Sequence, residues 1–153
     1  MMRFAMTMVL AAGFAGAQTE APASQWKDVA KQIGGDAALI RVAARSVASL
    51  QGGLAEDLGL LREQIEGQQL RAAHIQTKLY EIERAQCAAG LYQDSKLDQL
   101  KETADRLSDL TAIQRASLRV PDGKPEWKVL KRQAKSTEQV AQRIEKDIEA
   151  FAD

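Results

Sequence analysis

From Leu54 onward, apolar, small or uncharged side chains recur at steps of four and three, through Leu58, Leu61, Ile65, Gln68, Ala72, Ile75, Leu79, Ile82, Gln86 and Ala89. A heptad stripe of this kind is the seam of a helix that packs along other helices, because a 3.5-residue repeat keeps one face turned toward the partner. The segment is thereby committed to one helix near residues 54–90, ~54 Å long at 1.5 Å per residue. That seam needs cover along its length, from this chain or from a second molecule.

The rest of the chain supplies candidates for the cover. Ala, Leu, Gln, Glu, Lys and Arg dominate, aromatics are 5% and there are 3 prolines, a composition of strong helix formers. No alternating strand pattern and no repeat of solenoid length is present. Ser95-Lys96-Leu97-Asp98 resembles a capping box, and residues 120–125 (VPDGKP) read as a turn with Pro125 suited to a first helical position. Stripes follow through Leu97, Leu100, Ala104, Leu107 and Thr111, then through Trp127, Leu130, Ala134, Thr137, Ala141, Ile144, Ile148 and Phe151. Helices are predicted near 25–51, 54–90, 95–118 and 125–152, the last two forming an antiparallel hairpin.

The first of these helices is predicted to be interrupted. The heptad phase of the long stripe continues backward through Gln51, Val47, Ala44, Ile40, Ala37, Ile33, Ala30 and Trp26, as one rod would require. Against a rod stand Gly34, Gly35, Gly52 and Gly53, each disfavoured by ~1 kcal/mol relative to Ala inside a helix. Breaks are therefore expected at both pairs, with Asp36 as a new N-cap. Residues 37–50 are apolar nearly all round, the pattern of a covered helix. The expected fold is all-α: an antiparallel helical bundle of coiled-coil-like hairpins with three to four long helices, in one domain over residues 25–153.

Several stripe positions are polar: Gln51, Gln68, Gln86, Thr111 and Thr137. Such groups destabilise a core unless paired, and in coiled coils they fix register and oligomer number. The 54–90 helix also exceeds the later two, which span ~36 to 42 Å. One end of its seam should overhang, to be covered by the first helix or by a second copy, so a homo-oligomer is a possible state.

The N-terminus bears on compartment. Met1, Met2 and Arg3 give a short positive start, Phe4 to Ala17 an apolar run, and Ala15-Gly16-Ala17 a small-x-small cleavage pattern. This reads as a secretory signal peptide over residues 1–17 with a flexible leader over 18–24. The run is too short for a bilayer span of ~20 residues, so the expected product is periplasmic or secreted and not membrane-spanning. The 21 basic residues balance 21 acidic ones, which argues against general nucleic-acid binding.

Charge is unevenly placed all the same. Arg115, Arg119, Lys124, Lys128, Lys131, Arg132 and Lys135 face only Asp122 and Glu126 as opposing acids between positions 115 and 135. Within this cationic pole Lys124, Lys128, Lys131, Arg132 and Lys135 are spaced three and four apart and share a helix face away from the Trp127 stripe. Bases in the first turns of a helix oppose its dipole, as do the late acids Asp147 and Glu149. The pattern points to a cationic hairpin tip for an anionic envelope component or a protein partner; its bland counterpart is a solvated face neutralised by neighbouring helices.

Chemistry-bearing residues are sparse. Cys87, the single cysteine, sits among Ala85, Ala88, Ala89 and Gly90. Small neighbours suit a buried, inert thiol; an intermolecular disulfide or a redox-regulated thiol is the alternative in an oxidising compartment. His74, the one histidine, lies off the stripe and is expected to be an exposed side chain without a role. No metal-ligand spacing, phosphate-binding glycine loop, nucleophile elbow or cofactor motif is found. The reading is a non-enzymatic exported interaction or scaffolding protein; an enzyme with an unrecognised site is the least favoured class.

One short string adds an alternative. Leu110-Thr111-Ala112-Ile113-Gln114 resembles the LTxxQ element of the small helical periplasmic stress proteins of the Spy and CpxP type. The resemblance covers five residues and implies a cradle-shaped dimer with holdase chaperone activity. Those proteins carry the element twice, at helix starts, whereas here it occurs once and in mid-helix.

Overall fold

The computed structural model describes residues 9–50, 55–90, 94–119 and 126–153. They form four helices, α1 (Val9–Ser49), α2 (Ala55–Ala88), α3 (Ser95–Ser117) and α4 (Trp127–Ala152). Each packs on two others, α1 on α2 and α4, and α3 on α2 and α4. Neighbours run antiparallel: Asp36 of α1 pairs with Arg71 and His74 of α2, whereas Val47, further along α1, shares a cluster with the earlier Leu61 and Ile65. The chain is an all-α, up-down-up-down four-helix bundle.

α1 departs from its expected interruption. It is helical without a break through Gly34 and Gly35, and residues 18–24, expected as a leader, lie within it. Tertiary contacts outweigh the glycine cost. Asp36 does not cap a new helix; its Oδ1 accepts from Arg71 Nη1 at 3.2 Å and its Oδ2 meets His74 Nδ1. At Gly34 the backbone lies close to α4, where an added Cβ would sit 3.6 Å from Ile148 Cγ2. α1 ends at Ser49 and α2 begins at Ala55; the second predicted break, at Gly52 and Gly53 beside Gln51, lies outside the described residues.

A Cβ at Gly34 would make an ordinary van der Waals contact, and one at Gly35 would meet nothing within 4 Å. Gly35→Ala is expected to raise the unfolding free energy by about 1 kcal/mol by removing backbone freedom from the unfolded chain. Urea denaturation would show the midpoint rising with an unchanged slope.

The α2–α3 connection is capped on both sides. Gly90 takes φ 73° and its N–H donates to Cys87 O at 3.0 Å, a left-handed stop that only glycine adopts without strain. The cap of α3 is one residue earlier than the capping-box reading: Asp94, extended at φ −87° and ψ 107°, accepts from Lys96 N through its side chain, and Ser95 is already helical. Gln86 Nε2 reaches Asp94 Oδ2 at 3.4 Å and ties this cap to the end of α2.

The seam of α2 is covered within the chain. Leu61, Ile65, Gln68, Ala72, Ile75, Leu79, Ile82 and Gln86 are all buried, and α1 and α3 provide the cover. The expected overhang is absent over this stretch, so length mismatch gives no reason for a second copy. The core itself is in two parts. The larger runs from Ala30 to Ile40 on α1, Ala72 to Ile82 on α2, Leu97 to Leu107 on α3 and Val140 to Ile148 on α4. The smaller holds Val47, Leu61, Ile65, Leu130 and Ala134, with Leu118 and Trp127 packed against it.

Candidate interaction surface at the α3–α4 end

The smaller core cluster positions the cationic residues found in the sequence. Leu130 and Ala134 face inward at 0% exposure, and the 3.6-residue period then turns Lys128, Arg132 and Lys135 outward. Those three are exposed and Lys131 is half-buried at the edge of the same face. Leu118 and Trp127 both pack against this cluster, which brings the end of α3, with exposed Arg119, to the same end of the bundle as the start of α4. Arg115 belongs elsewhere: its Nη1 donates to Gln69 Oε1 of α2 at 2.9 Å. Lys124 lies outside the described residues. Five of the seven predicted cations, Arg119, Lys128, Lys131, Arg132 and Lys135, are therefore placed at one end, and four of them form a stripe along the outer face of α4.

The electrostatics of the stripe differ from those elsewhere. Among the described residues Arg119, Lys128, Lys131, Arg132 and Lys135 enter no ion pair, while Glu138, Glu145 and Asp147 of α4 are engaged by other groups. Arg41 Nε of α1 holds Glu145 Oε2 at 2.6 Å and its Nη2 donates to Oε1 at 3.3 Å. Arg45 Nη2 is 2.7 Å from Glu138 Oε1, and Arg143 pairs with Asp147 at 3.5 Å. Nor does α4 carry an acid in its first turn, and its N-cap Glu126 makes no side-chain cap bond. Lys128 thus stands in the first turn of α4, against the helix dipole, and the three further bases of the stripe follow it without an ion pair among the described residues.

Lys101 shows the contrasting case. Its Nζ donates to Glu83 Oε1 at 2.8 Å and lies 5.5 Å from the centre of the Tyr80 ring. The hydrogen bond to Glu83 raises the Lys101 pKa, opposed in part by burial. A raised lysine pKa marks stability that is fully present below the ordinary lysine value, ~10.4, and is lost as pH climbs through the folded value. The difference in melting temperature between wild type and Lys101→Met should accordingly hold from pH 7 to 9 and shrink above pH ~10.5.

Other predicted residues fall as follows. Cys87 is exposed, contrary to the buried-thiol reading; the buried seam position is its neighbour Gln86, and one step along a helix turns the side chain through about 100°. His74 is exposed as expected but has a partner in Asp36, invisible to a sequence reading that ended a helix just before Asp36. Residues 37–50 are not covered all round, since Leu39 and Val42 are 49% and 57% exposed. With Leu60 and Leu70 they place four large apolar side chains on the outward surfaces of α1 and α2. Gln114, a buried residue that the α3 stripe reading stopped short of, falls at the next heptad step after Thr111.

Among the described residues no group of three or more His, Cys, Asp or Glu side chains is placed to hold a metal ion, and no helix is long and apolar enough to cross a membrane. An open groove of about 330 Å³ between α1 and α4 is floored by Ala30, Gly34, Ile148 and Ala152 and rimmed by Lys31 and Glu149. Compared with known proteins, the chain matches no family model, no curated protein sequence and no solved structure.

Proposed function

We propose that this chain is a non-enzymatic interaction protein of the periplasm or cell envelope that docks through the cationic α3–α4 end onto an anionic partner. The observation that carries the reading is the α4 stripe of Lys128, Lys131, Arg132 and Lys135, without an ion pair among the described residues while neighbouring acids are held by other bases. Unpaired like charges on one helix face repel, and they gain most from an external anion. The reading is tested by binding to vesicles of phosphatidylcholine with and without phosphatidylglycerol, and to an acidic protein resin, at low and high salt. Loss of binding on raising salt, and on reversing the lysines to Glu, supports it; binding indifferent to both removes it.

A second reading rests on the exposed Leu39, Val42, Leu60 and Leu70, which suit a holdase that shields apolar segments of unfolded clients, as the LTxxQ resemblance implies. Suppression of client aggregation that disappears in Leu39→Ser/Val42→Ser/Leu70→Ser would favour it over the first. The exposed Cys87 makes a covalent pair of chains accessible under oxidising conditions. Non-reducing electrophoresis is expected to show a dimer band that Cys87→Ser lacks.

A further inference from the structure

Three of the four helices, α2, α3 and α4, place buried polar side chains at one level of the bundle, where α1 stays apolar. On α2 the seam passes from Ile65 in the smaller core cluster, through Gln68, to Ala72 in the larger one. The corresponding steps on α1 are Val47, Ala44 and Ile40; on α4 they are Ala134, Thr137 and Val140. On α3, Thr111 and Gln114 intervene between Leu107 and Leu118. Gln68, Thr111, Gln114 and Thr137 are buried to 1% exposure or less.

Only part of this layer is satisfied. Gln114 Nε2 donates to Thr137 Oγ1 at 3.2 Å, while the hydroxyls of Thr111 and Thr137 donate to the backbone oxygens of Ser108 and Gln133. Neither amide atom of Gln68, nor Oε1 of Gln114, meets a hydrogen-bond partner among the described residues. The register puts the two glutamines on adjoining helices at one height, because their neighbours Gln69 and Arg115 are joined at 2.9 Å. A buried polar group without a partner destabilises the folded arrangement, and water reaching it on opening relieves that cost.

The layer therefore interrupts the apolar continuity on which cooperative unfolding depends, and the cluster beyond it is small. Among the described residues, five buried ones form the cluster at that end, against sixteen in the larger cluster. We propose that the bundle consists of two cooperative units meeting at the Gln68–Gln114 layer, and that the shorter unit, which carries the cationic stripe of α4, opens while the longer one stays folded. Opening hydrates the glutamine amides and presents Leu130 and Ala134 on the same helix as Lys128, Lys131 and Lys135. The inference goes beyond the anionic-docking reading and stands or falls without it.

Native-state hydrogen exchange on the full chain, with no ligand added, tests it. Backbone amides of residues 45–49, 61–66, 115–118 and 131–136 should exchange at least about tenfold faster than those of 72–84, 100–110 and 140–148, in a common step sensitive to low denaturant. Gln68→Leu, which fills the layer with an apolar side chain, should narrow that difference at least about threefold without slowing the longer unit as much. Equal protection on the two sides of the layer in wild type overturns the proposal. So does a wild-type difference that Gln68→Leu leaves unchanged, since the layer would then not be its cause. The wild-type comparison needs no variant to fold. Binding to anionic vesicles is measured separately, so failure of that reading is not confused with failure of this one.

Discussion

Charge reversal of Lys128, Lys131 and Lys135 to Glu is expected to weaken binding to a phosphatidylglycerol-containing surface by about a hundredfold or more. Each base near an anionic surface contributes about 1 kcal/mol, and every tenfold in affinity corresponds to about 1.4 kcal/mol. Removing three such contributions gives about 3 kcal/mol, and the new acids add repulsion. The fold should tolerate the change, because Lys128 and Lys135 are exposed, Lys131 is half-buried, and none of the three makes an ion pair among the described residues. Acids in the first turns of α4 would also suit its dipole better than the lysines do. The decisive pattern is therefore lost binding with an unchanged or raised melting temperature. Reversing Arg41 or Arg45 would give a different pattern, since those bases hold Glu145 and Glu138 and link α1 to α4.

The second large effect concerns stability. Ile75 is 0% exposed within the larger core cluster, and Ile113 on the outside of α3 is 49% exposed. Ile75→Ala should lower the unfolding free energy by about 3 kcal/mol, from lost transfer energy and the cavity left in a close-packed seam. For a chain of this size that is a fall of roughly 10 °C in melting temperature. Ile113→Ala removes the same atoms from a surface site and should stay within about 0.5 kcal/mol. Paired urea curves measure both, and equal losses at the two sites would show that the assigned faces of α2 and α3 are wrong.

How far the sequence led depended on which force decided each feature. The seam of α2 was legible because its spacing is regular and its burial follows from spacing alone; residues 61 to 86 at heptad steps are the buried ones. Gln68, Thr111 and Thr137 were legible as polar core positions for the same reason. The unbroken course of α1 was not. Glycine propensity predicts a stop at Gly34 and Gly35, but the ion pairs of Asp36 and the proximity of Ile148 come from residues 35 or more positions away. Local preference of ~1 kcal/mol per glycine is readily outweighed by such packing. The outward turn of α4's bases was legible from the 3.6-residue period. Their lack of described partners was not, because it depends on α1 arginines having taken Glu138 and Glu145.

The exposed sulfur of Cys87 has a practical use. It sits near the C-terminus of α2, at the opposite end of the bundle from the α4 lysines, and it is the single cysteine of the sequence. A maleimide dye attached there marks one pole of the rod and leaves the other untouched, so energy transfer to labelled lipid would report which way the molecule stands when it lands.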